Sequence, residues 1–224
     1  MAGFPAVRIA MFNRSTLVIL AIAAAFAGLL VGWRFFPGAG APVAGPALQS
    51  MKRFDAPRAI PPFQLIRDGG QPLTNESIQG HWTLVFVGFT HCPDVCPTTL
   101  AQLKQAQQAW EKLPAASRPR VLFVSVDPER DTPEIVGRYA HAFHPDTIAA
   151  TGTAPELANF ARGLSLVFMK QPPDDMSKPD RYAVDHSAAL AVLDPQGRMS
   201  GVVQPPFEPA KIAADFIALT EAGK

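Results

Sequence analysis

The 224-residue sequence is short of charge and of cysteine. Only 17% of its residues are charged, the 20 basic and 19 acidic side chains nearly cancel, and there are two cysteines. Binding a phosphate backbone needs clustered positive charge, so nucleic acid is excluded as a partner. Two cysteines cannot build the dense disulfide framework of a small secreted scaffold. No internal repeat is present. Acid is absent altogether from the first 51 residues, which carry only Arg8, Arg14 and Arg34 as charges. The remainder is therefore close to neutral.

Hydrophobic residues make up 48% of the chain, enough to bury one ordinary globular core. Residues 17–33 (LVILAIAAAFAGLLVGW) contain only apolar side chains and glycine, and Phe35 and Phe36 extend the run beyond Arg34. This length is at the short end of what spans a bilayer, and no polar face makes it a core helix. Arg8 and Arg14 precede it, so the positive-inside rule leaves residues 1–16 in the cytoplasm, 17–36 as a transmembrane anchor, and the body exported. A cleaved signal peptide is the rival reading, with Ala39-Gly40-Ala41 as its cleavage site. Residues 37–61, rich in proline, glycine and alanine, read as a linker, and 62–222 as the folded domain.

Within the domain, Asp68-Gly69-Gly70 between short extended segments predicts an N-terminal β-hairpin. The runs 83–89 (TLVFVGF) and 120–126 (RVLFVSV) read as strands buried on both faces. Leu100, Leu103, Trp110 and Leu113 share one face of a helix that Pro97 helps to start. Asp131, followed by Pro133 and Glu134, is expected to cap the next helix. Strands are predicted near 147–150, 165–169, 188–193 and 199–203, and helices over 155–162 and 209–219. Parallel βα units followed by an antiparallel hairpin and a closing helix describe a thioredoxin-like α/β fold with an N-terminal β-hairpin extension.

Both cysteines, Cys92 and Cys96, lie in Thr90-His91-Cys92-Pro93-Asp94-Val95-Cys96-Pro97, between a predicted buried strand and the start of a helix. Loops at the carboxyl ends of strands form the functional crevice of such sheets, and a helix N-terminus lowers a thiol's pKa. A disulfide across so short a loop is a poor structural staple, which makes the pair a redox-active disulfide or a thiolate metal site. Soft thiolates with an imidazole favour copper. Among the histidines, His186 is best placed, just before the predicted strand from Ala188, if a parallel layout returns that loop to the crevice. Adjacent side chains diverge, which turns His91 away. His141 and His144, near a helix end, read as surface caps, and His81 has no evident partner. Asp94, Asp127 and Asp131 stay outside the ligand set.

Competing chemistries match the sequence less well. Thioredoxin-like reductases use C-x-x-C and a proline where this chain has Asp185-His186-Ser187. Val85, Phe89 and Cys92 stand where a peroxiredoxin has P-x-x-x-T-x-x-C. A structural zinc site wants a fourth protein ligand. The segments TLVFVGFTHCPDVCPTTL, VSVDPERDTPE and YAVDHSAALAVLDPQG, in this order, closely resemble the Sco/SenC/PrrC family over roughly residues 60–220. That resemblance implies a membrane-anchored metallochaperone holding one copper, Cu(I) or Cu(II), by Cys92, Cys96 and His186. It further implies a role in building the dinuclear copper centre of cytochrome c oxidase subunit II, or in serving another cuproprotein, with no small-molecule substrate. The domain would face the periplasm from the inner membrane, or the intermembrane space of mitochondria. Reduction of the target's cysteines, or sensing of copper or redox state, is the alternative.

Overall fold

The computed structural model describes residues 14–35, 46–173 and 175–223, in two units, Met1–Ala44 and Gly45–Lys224. Residues 1–13 of the expected cytoplasmic segment, residue 36 of the expected anchor and residues 37–45 of the expected linker lie outside the described residues. In the first unit, helix α1 (Arg14–Phe35) takes in the apolar run. The side chains described within it, residues 15–28, are all exposed. Among the described residues, no helix is long and apolar enough to cross a membrane.

The second unit begins earlier than residue 62. Strand β1 (Met51–Arg58) lies inside the stretch read as linker and pairs antiparallel with a late strand of the sheet. Its disguise is physical. An edge strand has one side in water, so charged residues and a proline are tolerated, and MKRFDAPR shows a bulged register instead of clean alternation. Its entry is secured from the far end of the chain. The buried carboxylate of Asp215 accepts from the backbone N–H groups of Gln49, Ser50 and Met51 and from the Ser50 hydroxyl, at 2.7–2.9 Å.

The predicted hairpin is present as β2 (Gln64–Arg67) and β3 (Pro72–Thr74). It joins the main sheet through β6 rather than standing apart as an extension. Next come β4 (Thr83–Gly88), α2 (Val95–Trp110), β5 (Arg120–Ser125), α3 (Pro133–His141), β6 (Ile148–Thr151) and α4 (Ala154–Gly163). The chain then forms β7 (Phe168–Lys170), β8 (Val184–His186), β9 (Leu190–Leu193), β10 (Met199–Val203) and α5 (Pro209–Ala222). Eight strands form one sheet in the order β1-β10-β9-β4-β5-β6-β2-β3. β4 is parallel to β5 and β5 to β6, while β9 runs antiparallel to β4. Every residue of β4 and β9 is buried, as strands covered on both faces require. Helix α2 packs on α5, where the Trp110 indole donates to the Ala213 carbonyl at 3.2 Å and stacks near Phe216.

Two local expectations change. The segment predicted as a strand over 165–169 starts later and leaves the main sheet. β7 pairs only with β8, as a separate two-stranded ribbon. Helix α3 is capped by Thr132, whose hydroxyl accepts from Ile135 N–H, with Pro133 opening the helix. Asp131 instead turns inward, where its buried carboxylate accepts from Thr90 and Ser125.

Candidate metal centre

Strand β4 ends at Gly88, and the chain turns through residues 89–94 into α2. The turn is closed by Cys92 N–H donating to the Phe89 carbonyl, at 3.3 Å. Cys92 is therefore left half-exposed on the loop, whereas Cys96, in the first turn of α2, is buried. Both are free thiols, and Cys96 N–H donates to Cys92 Sγ at 3.4 Å. Cys96 Sγ fits over the backbone of β4 only because residue 88 is glycine. A Cβ there would sit 2.7 Å from Cys96 Sγ and 3.0 Å from the Phe123 ring.

His186, the last residue of β8, brings Nε2 to 3.4 Å from Cys96 Sγ. The topology achieves this by an antiparallel arrangement. Because β9 runs against β4, its N-terminal end and the ribbon before it lie at the carboxyl end of β4; a parallel strand would have delivered that loop to the opposite edge. The imidazole meets Phe86 and Phe89 edge-on, with centroids 5.9 and 6.1 Å away. Its Nδ1 lies 3.1 Å from the Ser187 carbonyl. A proton on Nδ1, donated to that carbonyl, leaves the Nε2 lone pair facing the sulfurs.

The electrostatics of burial act on both groups. Burial lowers the His186 pKa, against a smaller opposing effect of the Ser187 carbonyl, and so favours the neutral ring. Burial pushes the Cys96 thiol far above its ordinary range, outweighing the help of the backbone hydrogen bond at Phe89. Desolvation of the buried sulfur thus acts against the acidifying effect expected of a helix N-terminus.

One donor atom from each of Cys92, Cys96 and His186 lies within 4.8 Å of the others. An ion bonded to sulfur and nitrogen at about 2.0–2.3 Å needs about this spacing, and the donor set of two thiols and an imidazole suits a soft metal such as copper. Among the described residues one further group of possible ligands converges, His91 with Asp127 and Asp131. Its carboxylates are already engaged. Asp131 accepts from the N–H and hydroxyl of Thr90 and from the Ser125 hydroxyl. Asp127 accepts from Tyr182 and Arg130.

The remaining candidates lie elsewhere. Asp94 is exposed beside α2 and accepts from the Thr98 hydroxyl. His141 is 3.3 Å from the Asp68 carboxylate. His144 is buried rather than a surface cap, between Glu111 and the N–H of Asp146. His81 bridges the Arg118 carbonyl and the Arg120 guanidinium. Sequence reasoning missed Gly88 and Tyr182. Only the position of Gly88 at the end of a buried strand before the cysteines, and the spacing of Tyr182 four residues before His186, could have signalled them.

Comparison with known proteins places this geometry among relatives. The family model described as SCO1/SenC matches residues 52–221. The mitochondrial SCO1 homolog 1 of Arabidopsis thaliana is 40% identical over 137 residues, 60% of this chain and 39% of that protein. The chain thus aligns with well under half of that relative's length. The structure of A. thaliana ScoI with copper bound superposes with a TM-score of 0.64 at 32% identity, covering 74% of this chain and 99% of the other. That of Bradyrhizobium japonicum ScoI with copper bound gives 0.63 at 35% identity, covering 70% and 97%.

Proposed function

Because the chain belongs to the SCO1/SenC family, we propose that it binds one copper ion through Cys92, Cys96 and His186 and passes it to the dinuclear copper centre of cytochrome c oxidase subunit II, or to another cuproprotein. The observation that carries this reading is the approach of His186 Nε2 to Cys96 Sγ, with Cys92 beside them. Two thiolates and one neutral imidazole form a low-coordinate soft donor set, and bound copper is the cargo. Uptake requires the Cys96 proton to leave the buried sulfur. His186 meets the ion already neutral. Cys92, the more exposed thiol, is the ligand that an incoming target thiolate displaces first, and it recovers a proton as it leaves. The apolar sequence of residues 17–33, preceded by Arg8 and Arg14, supports the further proposal of a membrane anchor, with the domain on the exported side.

The thiol–disulfide reading keeps one observation in its favour. Cys92 and Cys96 are neighbouring free thiols with one partly accessible, as a reversible redox pair requires. Closing that disulfide would consume both sulfur ligands, so copper binding and oxidation exclude each other.

The test is anaerobic copper titration of the reduced full chain in detergent, against a competing chelator, for the parent and for Cys92→Ala, Cys96→Ala and His186→Ala. One tightly held equivalent in the parent, and much weaker binding in each variant, is expected. Undiminished binding without His186 would remove that residue from the ligand set, and no copper binding alongside reduction of a disulfide substrate would replace the copper reading with the oxidoreductase.

A further inference from the structure

The ribbon that carries His186 has little backbone to hold it. β7 and β8 pair with each other over Phe168↔His186, Met169↔Asp185 and Lys170↔Val184, and form no ladder with the eight-stranded sheet. Val167 and Ser187 exchange further hydrogen bonds across the same ribbon. Side chains must therefore set where the imidazole sits.

They converge from one short turn. After β5, residues 127–131 fold so that the N–H groups of Arg130 and Asp131 both donate to the Asp127 carbonyl, at 3.2 and 2.9 Å. Val126 N–H donates to the Gly88 carbonyl, which ties the start of this turn to the end of β4. From the turn, Asp127 accepts from the Tyr182 hydroxyl at 2.6 Å. Arg130 donates through Nε to the other Asp127 oxygen and through Nη1 to the Asp180 and Tyr182 carbonyls, at 3.1 and 3.0 Å. The Arg130 guanidinium also lies 3.6 Å from the centroid of the Tyr182 ring, and Lys170 Nζ lies 3.9 Å from the same centroid while contacting Glu129. Tyr182, four residues before His186, is held by its hydroxyl, its carbonyl and its ring together. Burial and the Asp127 carboxylate push its phenol pKa up, so it stays a donor. The same turn grips the thiol loop through Asp131 and Thr90.

We propose that Tyr182, Asp127 and Arg130 form a clamp that positions His186 over the cysteine pair. The two sulfurs ride on the loop after β4 and on α2, the imidazole rides on the ribbon, and the clamp is the joint between them. It acts through His186 and touches no metal itself. This role rests on the copper reading for its chemical consequence, whereas the mechanical part stands independently of it.

The experiment uses the full chain in detergent with Tyr182→Ala, Tyr182→Phe and Arg130→Met, each alone and combined with His186→Ala. Hydrogen exchange, copper affinity and the nitrogen signature of the Cu(II)-loaded protein in pulsed EPR are read together. Tyr182→Ala and Arg130→Met should speed amide exchange in 168–187 while leaving 83–88 and 120–125 unchanged. They should weaken copper binding by about tenfold or more and diminish the nitrogen signature. Tyr182→Phe, which keeps the ring between its two cations, should fall between these and the parent. With His186 already replaced, none should lower affinity further. Unchanged exchange in the ribbon, or an equal loss of affinity without His186, overturns the clamp. A parent that binds no copper overturns the copper reading instead, and ribbon exchange alone then decides the clamp.

Discussion

Cys96 Sγ and His186 Nε2 stand 3.4 Å apart although 90 residues separate them in the chain. One comes from the first turn of a helix after a central strand and the other from a ribbon outside the main sheet. Their meeting rests on groups that are not themselves ligands, and several of these can be tested.

Copper uptake should depend on pH with a definite sign. Burial holds the Cys96 thiol protonated and His186 neutral, so binding releases at least the Cys96 proton. Apparent affinity should then rise by about tenfold for each pH unit per proton displaced. Competition titrations between pH 6 and 8 check this, and a flat profile would mean that Cys96 enters the site already ionised.

Gly88→Ala places a methyl 2.7 Å from Cys96 Sγ and 3.0 Å from the buried Phe123 ring. Overpacking of this kind costs about 1–3 kcal/mol, and the sulfur must move. The variant should melt at lower temperature and bind copper more weakly. If only the melting temperature changed, Cys96 would have kept its position and the strain would have gone elsewhere.

Asp215→Ala should damage the fold and spare the centre. Four donors lose their shared acceptor; the Met51 N–H is the buried one among them, and leaving such a group unsatisfied costs about 1–3 kcal/mol. Urea denaturation should show the loss, amide exchange should rise in β1, and copper affinity per folded molecule should stay at the parent value.

His81 should make the fold acid-sensitive. Burial and the Arg120 guanidinium lower its pKa, against the opposing Arg118 carbonyl. The folded state therefore resists protonation more than the unfolded chain does, whose histidines titrate near about 6.5. The stability this provides is whole above that pH and is lost as pH falls through the depressed folded value. His81→Gln, which can still accept from Arg120, should show a smaller drop between pH 6.5 and 5 in denaturation experiments. A drop as large as the parent's would assign the sensitivity to other groups.

The amino-acid pattern alone determined the elements whose signal is local. Buried β-branched strands at 83–88 and 120–125, the Asp-Gly-Gly hairpin and the helices between them follow from short-range periodicity and turn chemistry. The cysteine pair at a strand-to-helix turn was legible for the same reason. Tertiary structure alone decided the rest, because each remaining feature depends on a partner distant in the chain. β1 is a strand only by pairing with β10, and MKRFDAPR carries no strand pattern of its own. Asp131 leaves the helix end for Thr90 and Ser125, since a buried carboxylate must find its donors wherever the fold puts them. The direction of β9 delivers His186 to the thiols, and burial sets the protonation of both Cys96 and His186. Solvation and long-range pairing are properties of the packed molecule, so no window of sequence could carry them.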